Sequence, residues 1–389
     1  KYFISKYVKI NKVKFKYMKL YNSKQTLELE KKIEAKGIDS FLLMLRAGKQ
    51  IIELCKNYSF KKIIALAGSG NNGGDALAAT LFGLIENIDI SCIDYTKKNK
   101  STSKLKELLQ SLNFNPIKKL PEINNINENF LIIDGLLGIG INRPPEGNFL
   151  KCIKWTNRAK KKGAVIISID IPSGLNPNSG TIHVHSVKAS ATMMCLTPKL
   201  GCYTGDGLLN SGDLLFNNLG ININKYSVKS ESYLLEPNNN IFIKRNNFGY
   251  KGLFGNVLIV GGWNGMAGAA NLTATAAFKT GAGKIFIYNN NPERKINEII
   301  HLDLRRENLK DLLNKMQVII AGPGLGKNAY PLLNYIWDTS LPLILDADAL
   351  KWLANNFRKK RKGLLISTPH YGEAKILLKK NFSDRLNAI

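Results

Sequence analysis

Residues 61–80 read KKIIALAGSGNNGGDALAAT, and this stretch decides the fold of the first part of the chain. Ile63–Leu66 is a short apolar run with two β-branched residues, of the kind found in buried parallel strands. Gly68–Asp75 is a glycine-rich turn, and the alanine-rich run after it has helical character. A strand, a glycine-rich turn and a helix in this order bring backbone N–H groups to a helix N-terminus, which favours phosphate. The stretch therefore predicts an α/β fold with a ligand-binding loop.

The polar residues of this turn distinguish it from an ordinary dinucleotide-binding turn. The spacing in GSGNNGG differs from G-x-G-x-x-G, and Asn71, Asn72 and Asp75 add two amides and a carboxylate. Two other interpretations stay open: a tight turn that merely requires glycine, and the dinucleotide site of an oxidoreductase. The oxidoreductase interpretation gains an acid, Asp94, about twenty residues further on, but the glycine spacing does not fit it.

Two further predicted strands end in acids. Phe130–Asp134 runs into a loop that continues to Pro145, and Ala164–Asp170 runs into Ile171–Gly174. In an open α/β sheet, ligands bind outside the carboxyl ends of the strands. One such acid could merely cap a helix, but three polar strand ends at the same edge predict a binding site.

The second part of the chain repeats this organisation. Asparagines and turn-forming residues crowd positions 236–247, which predicts a linker. Apolar runs that end in glycines or acids follow, for example at 257–262, 318–326 and 343–348. We predict two doubly wound, three-layer α/β/α units. The predicted boundaries are a basic N-terminal extension at 1–17, a first domain at 18–230, a linker at 231–247 and a second domain at 248–389.

Composition limits the partners and the compartment. The net charge of +27 comes mostly from lysines scattered among asparagine and isoleucine, so we expect no nucleic-acid partner. No apolar run approaches the length of a membrane span, so we expect no membrane partner. The five cysteines include no C-x-x-C pair, which is typical of reduced thiols in the cytoplasm. The basic N-terminal residues do not have the pattern of a secretory signal.

With these motifs the chain resembles the bifunctional NAD(P)H-hydrate repair enzymes. In that family a Rossmann-like NAD(P)HX epimerase domain is fused to a ribokinase-like NAD(P)HX dehydratase domain. The resemblance implies that the first domain interconverts R and S epimers of hydrated NADH and NADPH. It implies that the second domain of the family removes water from the S epimer with ADP or ATP and Mg²⁺. The motifs that carry the resemblance are Leu43–Gly48, Asn71–Asp75, Asp134–Pro144, Asp170–Gly174, Lys251–Gly255, Gly265–Ala270, Gly322–Gly326, Asp346–Asp348 and Thr368–Glu373.

The resemblance also implies roles for individual residues. Asp170 is expected to be the catalytic acid/base, since proton movement at the ring requires a carboxylate within reach. Asn72, Asp134 and Ser173 match the family's K⁺ ligands. Ile139 departs from the family, which usually has threonine there, and so removes a hydroxyl beside the phosphates. The implied substrate-binding residues are Asn71, Asn72, Gly73, Gly74, Asp75, Gly138, Ile139, Gly140, Ile141, Asn142, Arg143, Pro144, Asp170, Ala269, Gly324 and His370.

The second domain is expected to be partial. In the family, a lysine-glycine phosphate segment and a Gly-x-Gly-Asp stretch follow the loop of His370, and neither is present here. We therefore expect epimerisation but no dehydration from this chain, with ADP or ATP used only by an intact dehydratase domain. The chain is then either a fragment of a longer enzyme or the product of a truncated gene. A homo-oligomer is expected, and a non-catalytic nucleotide- or protein-binding module is the alternative function.

Overall fold

The computed structural model describes residues 17–141, 143–182, 184–236, 248–263, 265–290, 297–303, 308–356, 361–379 and 381. These residues form two compact units. The described part of the first runs from Tyr17 to Glu236, and that of the second begins at Phe248. Asn142, residues 1–16 of the predicted extension and residues 237–247 of the predicted linker lie outside the described residues.

The first unit is built on a six-stranded sheet in which neighbouring strands are parallel, in the order β3-β2-β4-β5-β6-β7. The chain reverses its direction of winding between β2 and β4, so the loops after these two strands border one crevice. Such a switch point is where open α/β sheets bind ligands. The strands are β2 (Lys62–Ala67), β3 (Ile90–Asp94), β4 (Phe130–Gly135), β5 (Val165–Ile169), β6 (Ala191–Cys195) and β7 (Asp213–Asn217).

Helices cover both faces of this sheet. Along β2, Ile63 and Ala65 point into a core shared with α1 to α4, whereas Ile64 and Leu66 point into a core shared with α5. This alternation makes both faces of the strand apolar, as expected for a parallel sheet buried on both sides. The helices are α1 (Ser23–Glu34), α2 (Ser40–Cys55), α3 (Asn71–Ile85), α4 (Lys100–Ser111), α5 (Gly147–Lys161) and α6 (Gly207–Asn210).

A short antiparallel ribbon corrects the predicted linker. The strands β1 (Tyr17–Leu20) and β8 (Ser232–Leu235) pair along their full length, and the rings of Tyr17 and Tyr233 lie 5.0 Å apart, edge to face. The prediction that the linker begins at residue 231 is therefore wrong. Cross-strand aromatic and aliphatic pairs stabilise these residues as part of the first unit.

The second unit has a six-stranded sheet of parallel neighbours in the order β11-β10-β9-β12-β13-β14. Its switch point lies between β9 and β12, and helices pack on both of its faces. The strands are β9 (Asn256–Val260), β10 (Lys284–Asn289), β11 (Ile300–Asp303), β12 (Val318–Ala321), β13 (Leu343–Leu345) and β14 (Leu365–Ser367). The helices are α7 (Ala267–Lys279), α8 (Leu309–Leu313), α9 (Tyr330–Trp337), α10 (Asp348–Asn356) and α11 (Tyr371–Leu378).

The predicted fold class is confirmed, because each unit is a parallel sheet between helical layers. Among the described helices, none is both long and apolar enough to cross a membrane.

Candidate active site

A cleft of about 1430 Å³ opens at the carboxyl ends of β2, β4 and β5 in the first unit. We call it the Asp170 cleft. It brings together most of the residues predicted for the first domain from three separate segments of the chain. The predicted residues that line it are Asn71, Asn72, Asp75, Gly138, Ile139, Gly140, Ile141, Arg143, Pro144 and Asp170.

Gly73 and Gly74, which were also predicted to bind substrate, lie behind the wall of the cleft. Both are buried. A Cβ atom on Gly73 would approach the carbonyl oxygen of Gly68 to 1.8 Å, and one on Gly74 would approach the sulfur of Met44 to 2.6 Å. Gly73 requires glycine because the turn packs closely against its own backbone, whereas a side chain at Gly74 would have to displace the flexible end of Met44 on α2.

The N-terminus of α3 points its first turn at the cleft. The helix begins at Asn71, and its N-cap Gly70 makes no side-chain capping bond. Ser69, Gly70 and Asn71 all line the cleft. The first N–H groups of a helix lack helical partners and carry a partial positive charge, so this end of the cleft suits an anionic group such as a phosphate.

Asp170 is held in place by a buried lysine that the sequence did not single out. Lys199 donates from Nζ to Oδ1 of Asp170 at 2.8 Å and to the carbonyl oxygen of Cys195 at 2.5 Å. The backbone N–H of Cys195 donates to the same Oδ1 at 2.8 Å. The side chain of Lys199 is 1% exposed and that of Asp170 is 12% exposed, so only the aspartate reaches the cleft.

The backbone of Asp170 is also unusual. Its φ of +63° lies in the left-handed region, which costs roughly 1–2 kcal/mol for an L-residue and is tolerated best by asparagine and aspartate. Its N–H donates to the carbonyl oxygen of Met193 at 2.8 Å. These contacts hold the carboxyl group in one orientation at the edge of the sheet.

Two of the other carboxyl groups that line the cleft have raised pKa values. Glu30 reaches it from α1, and Asp75 lies in the first turns of α3. Burial, together with the negative charge of Asp170, raises the pKa of Glu30 to about 7. Burial, then Asp170 and Glu30, raise the pKa of Asp75 well above its ordinary value. The site therefore contains one carboxylate fixed by a lysine and two that resist ionisation.

Asn72, Asp134 and Ser173 lie in one hydrogen-bonded network beneath the cleft floor. The hydroxyl of Ser173 donates to Oδ1 of Asp134 at 2.5 Å and lies 3.3 Å from the carbonyl oxygen of Leu137. The amide nitrogen of Asn72 donates to that same carbonyl at 3.1 Å and to the carbonyl of Ile169 at 2.8 Å. Asn72 and Ser173 thus meet at the carbonyl of Leu137, and Asp134 joins them through its bond with Ser173.

This group supplies only oxygen ligands, which suits a hard cation. Asp134 is fully buried, and its two oxygens already accept bonds from Ser173, Ser168 and the N–H of Leu136. Burial raises the pKa of Asp134, and the bonds from Ser173 act in the opposite direction. A cation at Asp134 would replace at least one of these donors, since a carboxylate has about four lone-pair sites.

Comparisons with known proteins identify the family. A model described as YjeF-related protein N-terminus matches residues 40–201, and one described as NAD(P)H-hydrate dehydratase matches residues 257–389. A bifunctional NAD(P)H-hydrate repair enzyme of Coxiella burnetii is 31% identical over 376 residues, which cover 92% of this chain and 75% of that protein. The chain belongs to the bifunctional NAD(P)H-hydrate repair enzyme family.

Other relatives agree with this assignment. The Escherichia coli bifunctional NAD(P)H-hydrate repair enzyme is 28% identical over 367 residues, which cover 88% of this chain and 68% of that protein. The NAD(P)H-hydrate epimerase of Weissella koreensis is 28% identical over 190 residues, which cover 48% of this chain and 83% of that protein. These relatives are enzymes, so the alternative of a non-catalytic binding module is not favoured.

In the second unit of this family member, Ala269 and Gly324 meet at the switch point of the sheet. A Cβ atom on Gly324 would lie 3.4 Å from that of Ala269, and the carbonyl oxygen of Gly324 accepts from the N–H of Trp263 at 2.7 Å. His370 instead caps α11, where its Nδ1 accepts from the N–H of Gly372 at 3.0 Å. Its side chain is 72% exposed, so it remains open to a ligand.

Sequence reasoning missed Lys199 and Glu30. Both carry a signal that could have revealed them. Lys199 follows the apolar run Ala191–Leu196, where a charge needs a buried partner. Glu30 is partly buried on α1, four positions after the buried Thr26 and three before the buried Ile33, where the helical spacing predicts an apolar residue.

Proposed function

We propose that the first unit is an NAD(P)H-hydrate epimerase that interconverts the R and S forms of hydrated NADH and NADPH. The observation that carries this proposal is the Asp170 cleft, which combines an anion-binding helix end with a carboxylate fixed by a buried lysine. Family membership supplies the substrate class.

In this proposal the cofactor diphosphate lies at the N-terminus of α3 and along Gly138–Pro144, where Asn71 and Asp75 complete the binding surface. The nicotinamide ring lies beside Asp170. Hydration leaves a hydroxyl on the ring carbon next to the ring nitrogen. The nitrogen lone pair assists loss of this hydroxyl as water, and return of water to the other face produces the other epimer. Asp170 transfers a proton to or from the oxygen during this exchange.

We also propose that Asn72, Asp134 and Ser173 hold K⁺ beside the diphosphate. The bonds that link them support this role, because Ser173 bonds to Asp134, and both Ser173 and Asn72 contact the carbonyl oxygen of Leu137. A bound cation would offset the negative charge of the substrate. Replacing K⁺ with Na⁺ is expected to slow the wild-type enzyme. In the same assay, the rate of the Ser173→Ala variant is expected to depend less on K⁺.

The test follows a single purified epimer of hydrated NADH as it equilibrates, with the two epimers separated by chromatography. Asp170→Asn is expected to lower the enzymatic rate by about 10²–10⁴-fold, the usual contribution of general acid–base catalysis. Asp94→Asn is the matched control, because Asp94 also ends a strand but pairs with Lys106 outside the cleft. An Asp170→Asn protein that equilibrates the epimers at the wild-type rate would contradict the proposed role.

For the second unit we propose that Ala269, Gly324 and His370 contact the hydrated cofactor. The family's Gly-x-Gly-Asp stretch is not among residues 248–389 of this chain, so a polypeptide of these 389 residues is expected not to dehydrate its substrate. Incubation with the S epimer, Mg²⁺ and ADP or ATP tests this expectation, and sustained NADH formation would contradict it. The homo-oligomer and the cytoplasmic location stay predictions from the sequence.

A further inference from the structure

Glu30 lines the Asp170 cleft but has no part in the proposed function. Its carboxyl group lines the cleft from α1, a different element from the strand end that carries Asp170. Among the described residues, neither Glu30 nor Asp75 has a side-chain hydrogen bond or an ion pair, whereas Asp170 has Lys199. Within the described part of the chain, Glu30 and Asp75 are therefore unpaired carboxyl groups that share the cleft with the paired carboxylate of Asp170.

The charged groups around Glu30 decide its protonation. They are Asp170 after β5, Lys199 after β6 and Glu34 on α1, and Asp75 of α3 lies in the same cleft. Burial and the nearby negative charges hold the pKa of Glu30 at about 7, so it gains or loses a proton near neutral pH. Burial and the charges of Asp170 and Glu30 raise the pKa of Asp75 well above its ordinary value, which favours its protonated, hydrogen-bond-donating form. An acid/base group works best when its pKa lies near the working pH.

We propose that Glu30 and Asp170 form a two-residue acid/base pair in which each residue serves one face of the nicotinamide ring. This inference rests on the proposed epimerase function and adds a second catalytic residue to it. Lys199 acts through Asp170 as a positioning residue, because its ammonium group is buried behind that carboxylate.

The exchange balances without an oxidant or a reductant. In one direction the bond between the ring carbon and its hydroxyl breaks, and its electron pair leaves with the oxygen. That oxygen takes the proton of Glu30 and departs as water, while the nitrogen lone pair forms a carbon–nitrogen double bond. A water molecule then bonds to the same carbon from the other face and gives its proton to Asp170. One water leaves and one enters, and the proton returns to Glu30 through solvent. In the reverse direction the two carboxyl groups exchange roles.

The first test compares Glu30→Gln with Glu28→Gln. Glu28 is on the same helix but exposed and paired with Lys32, so it is a matched control that should keep the wild-type rate. Glu30→Gln is expected to slow equilibration of a purified epimer at least about 100-fold. Glu30→Asp, which keeps a carboxyl group on a shorter side chain, is expected to recover part of that loss. The dissociation constant of the hydrated cofactor should change little in Glu30→Gln.

The pH profile provides a readout that a structural role would not change. The wild-type rate is expected to fall as the pH rises through about 7, because Glu30 loses the proton that it must donate. Glu30→Gln is expected to lack this fall in its remaining activity. In H₂¹⁸O, the product epimer should carry one ¹⁸O for each exchange event.

Three results would overturn the proposal: a wild-type rate for Glu30→Gln, an unchanged alkaline fall in that variant, or retention of the original oxygen in the product epimer. A wild-type protein that does not accelerate equilibration would instead overturn the proposed epimerase function. The two failures are therefore distinguishable.

Discussion

An aspartate and a lysine pair near a strand end in both units of the chain, at nearly the same distance but in different surroundings. Asp170 and Lys199 are 2.8 Å apart in the first unit, with side chains that are 12% and 1% exposed. Asp348 and Lys351 are 2.9 Å apart in the second unit, with side chains that are 21% and 50% exposed. Both sites also have a strained residue close by, since φ is +63° at Asp170 and +48° at Ala347.

The partners of the two aspartates explain the difference in role. Asp348 accepts from the N–H of Gly326 at 3.0 Å, so it fastens the glycine loop that follows β12. Asp170 faces the open cleft, and its partners approach from behind. An acid at a strand end therefore indicates the ligand-binding edge of a sheet. The contacts of its carboxylate determine whether it stabilises a loop or faces the cleft.

The largest expected effect is a difference in stability between the variants that lack the lysine of one pair or of the other. Lys199→Met leaves Asp170 without its partner in a buried site, which should cost about 3–5 kcal/mol of unfolding free energy. Lys351→Met removes an exposed i,i+3 pair and should cost at most about 1 kcal/mol. Urea unfolding of both variants measures the contrast. Adding Asp170→Asn to Lys199→Met should restore part of the lost stability. Equal losses of unfolding free energy in Lys199→Met and Lys351→Met would refute the claim that burial makes the first pair matter more.

A smaller effect is expected at the loop above Asn72. A Cβ atom on Gly138 would lie 2.7 Å from Oδ1 of Asn72, so Gly138→Ala must displace the amide that bonds to Leu137 and Ile169. We expect a loss of about 1–3 kcal/mol in stability, as for other overpacked sites, together with slower epimerisation. No atom lies within 4 Å of a Cβ on Gly140, so Gly140→Ala should leave stability nearly unchanged. Thermal unfolding and the epimer assay test both variants.

The smallest expected effect is a gain in stability. Folding raises the pKa of Glu30 from 4.5 to about 7, so the folded protein holds this proton more tightly than the unfolded chain. The contribution of Glu30 to stability therefore falls as the pH rises from 4.5 to 7 and stays low above that range. At pH 8, Glu30→Gln should unfold at a higher urea concentration than the wild type. The full change in pKa corresponds to roughly 3 kcal/mol, and solvent screening of this partly buried side chain reduces the expected gain to about 1–2 kcal/mol. An equal gain in stability at pH 4 would contradict the explanation that the gain comes from removing the ionised carboxylate of Glu30.

Most of the fold can be predicted from the order of strands and glycine-rich turns in the sequence. Parallel strands that are buried on both faces are recognisable as short apolar runs such as Ile63–Leu66. The gathering of Asn71, Asp75, Gly138 and Asp170 in one cleft follows from the same rule about strand ends.

The electrostatics of the cleft do not follow from local sequence. Lys199 contacts Asp170 across twenty-nine positions of the chain, and Glu30 reaches the cleft from a helix that precedes the whole sheet. The ribbon of β1 and β8 joins residues more than two hundred positions apart, so Tyr17 was predicted to lie in the extension and Ser232–Leu235 in the linker. Side-chain pairing over such separations is set by tertiary packing, which propensity and spacing do not report.

A crystal structure of the whole chain with hydrated NADH would test the central claim most directly, through the distance between the ring hydroxyl and the carboxyl group of Asp170. For the epimer whose hydroxyl faces Asp170, we expect that distance to be within about 3.2 Å, with the diphosphate at the N-terminus of α3. A cofactor bound with its ring outside the Asp170 cleft, or with a group other than Asp170 or Glu30 in contact with the hydroxyl, would contradict the account.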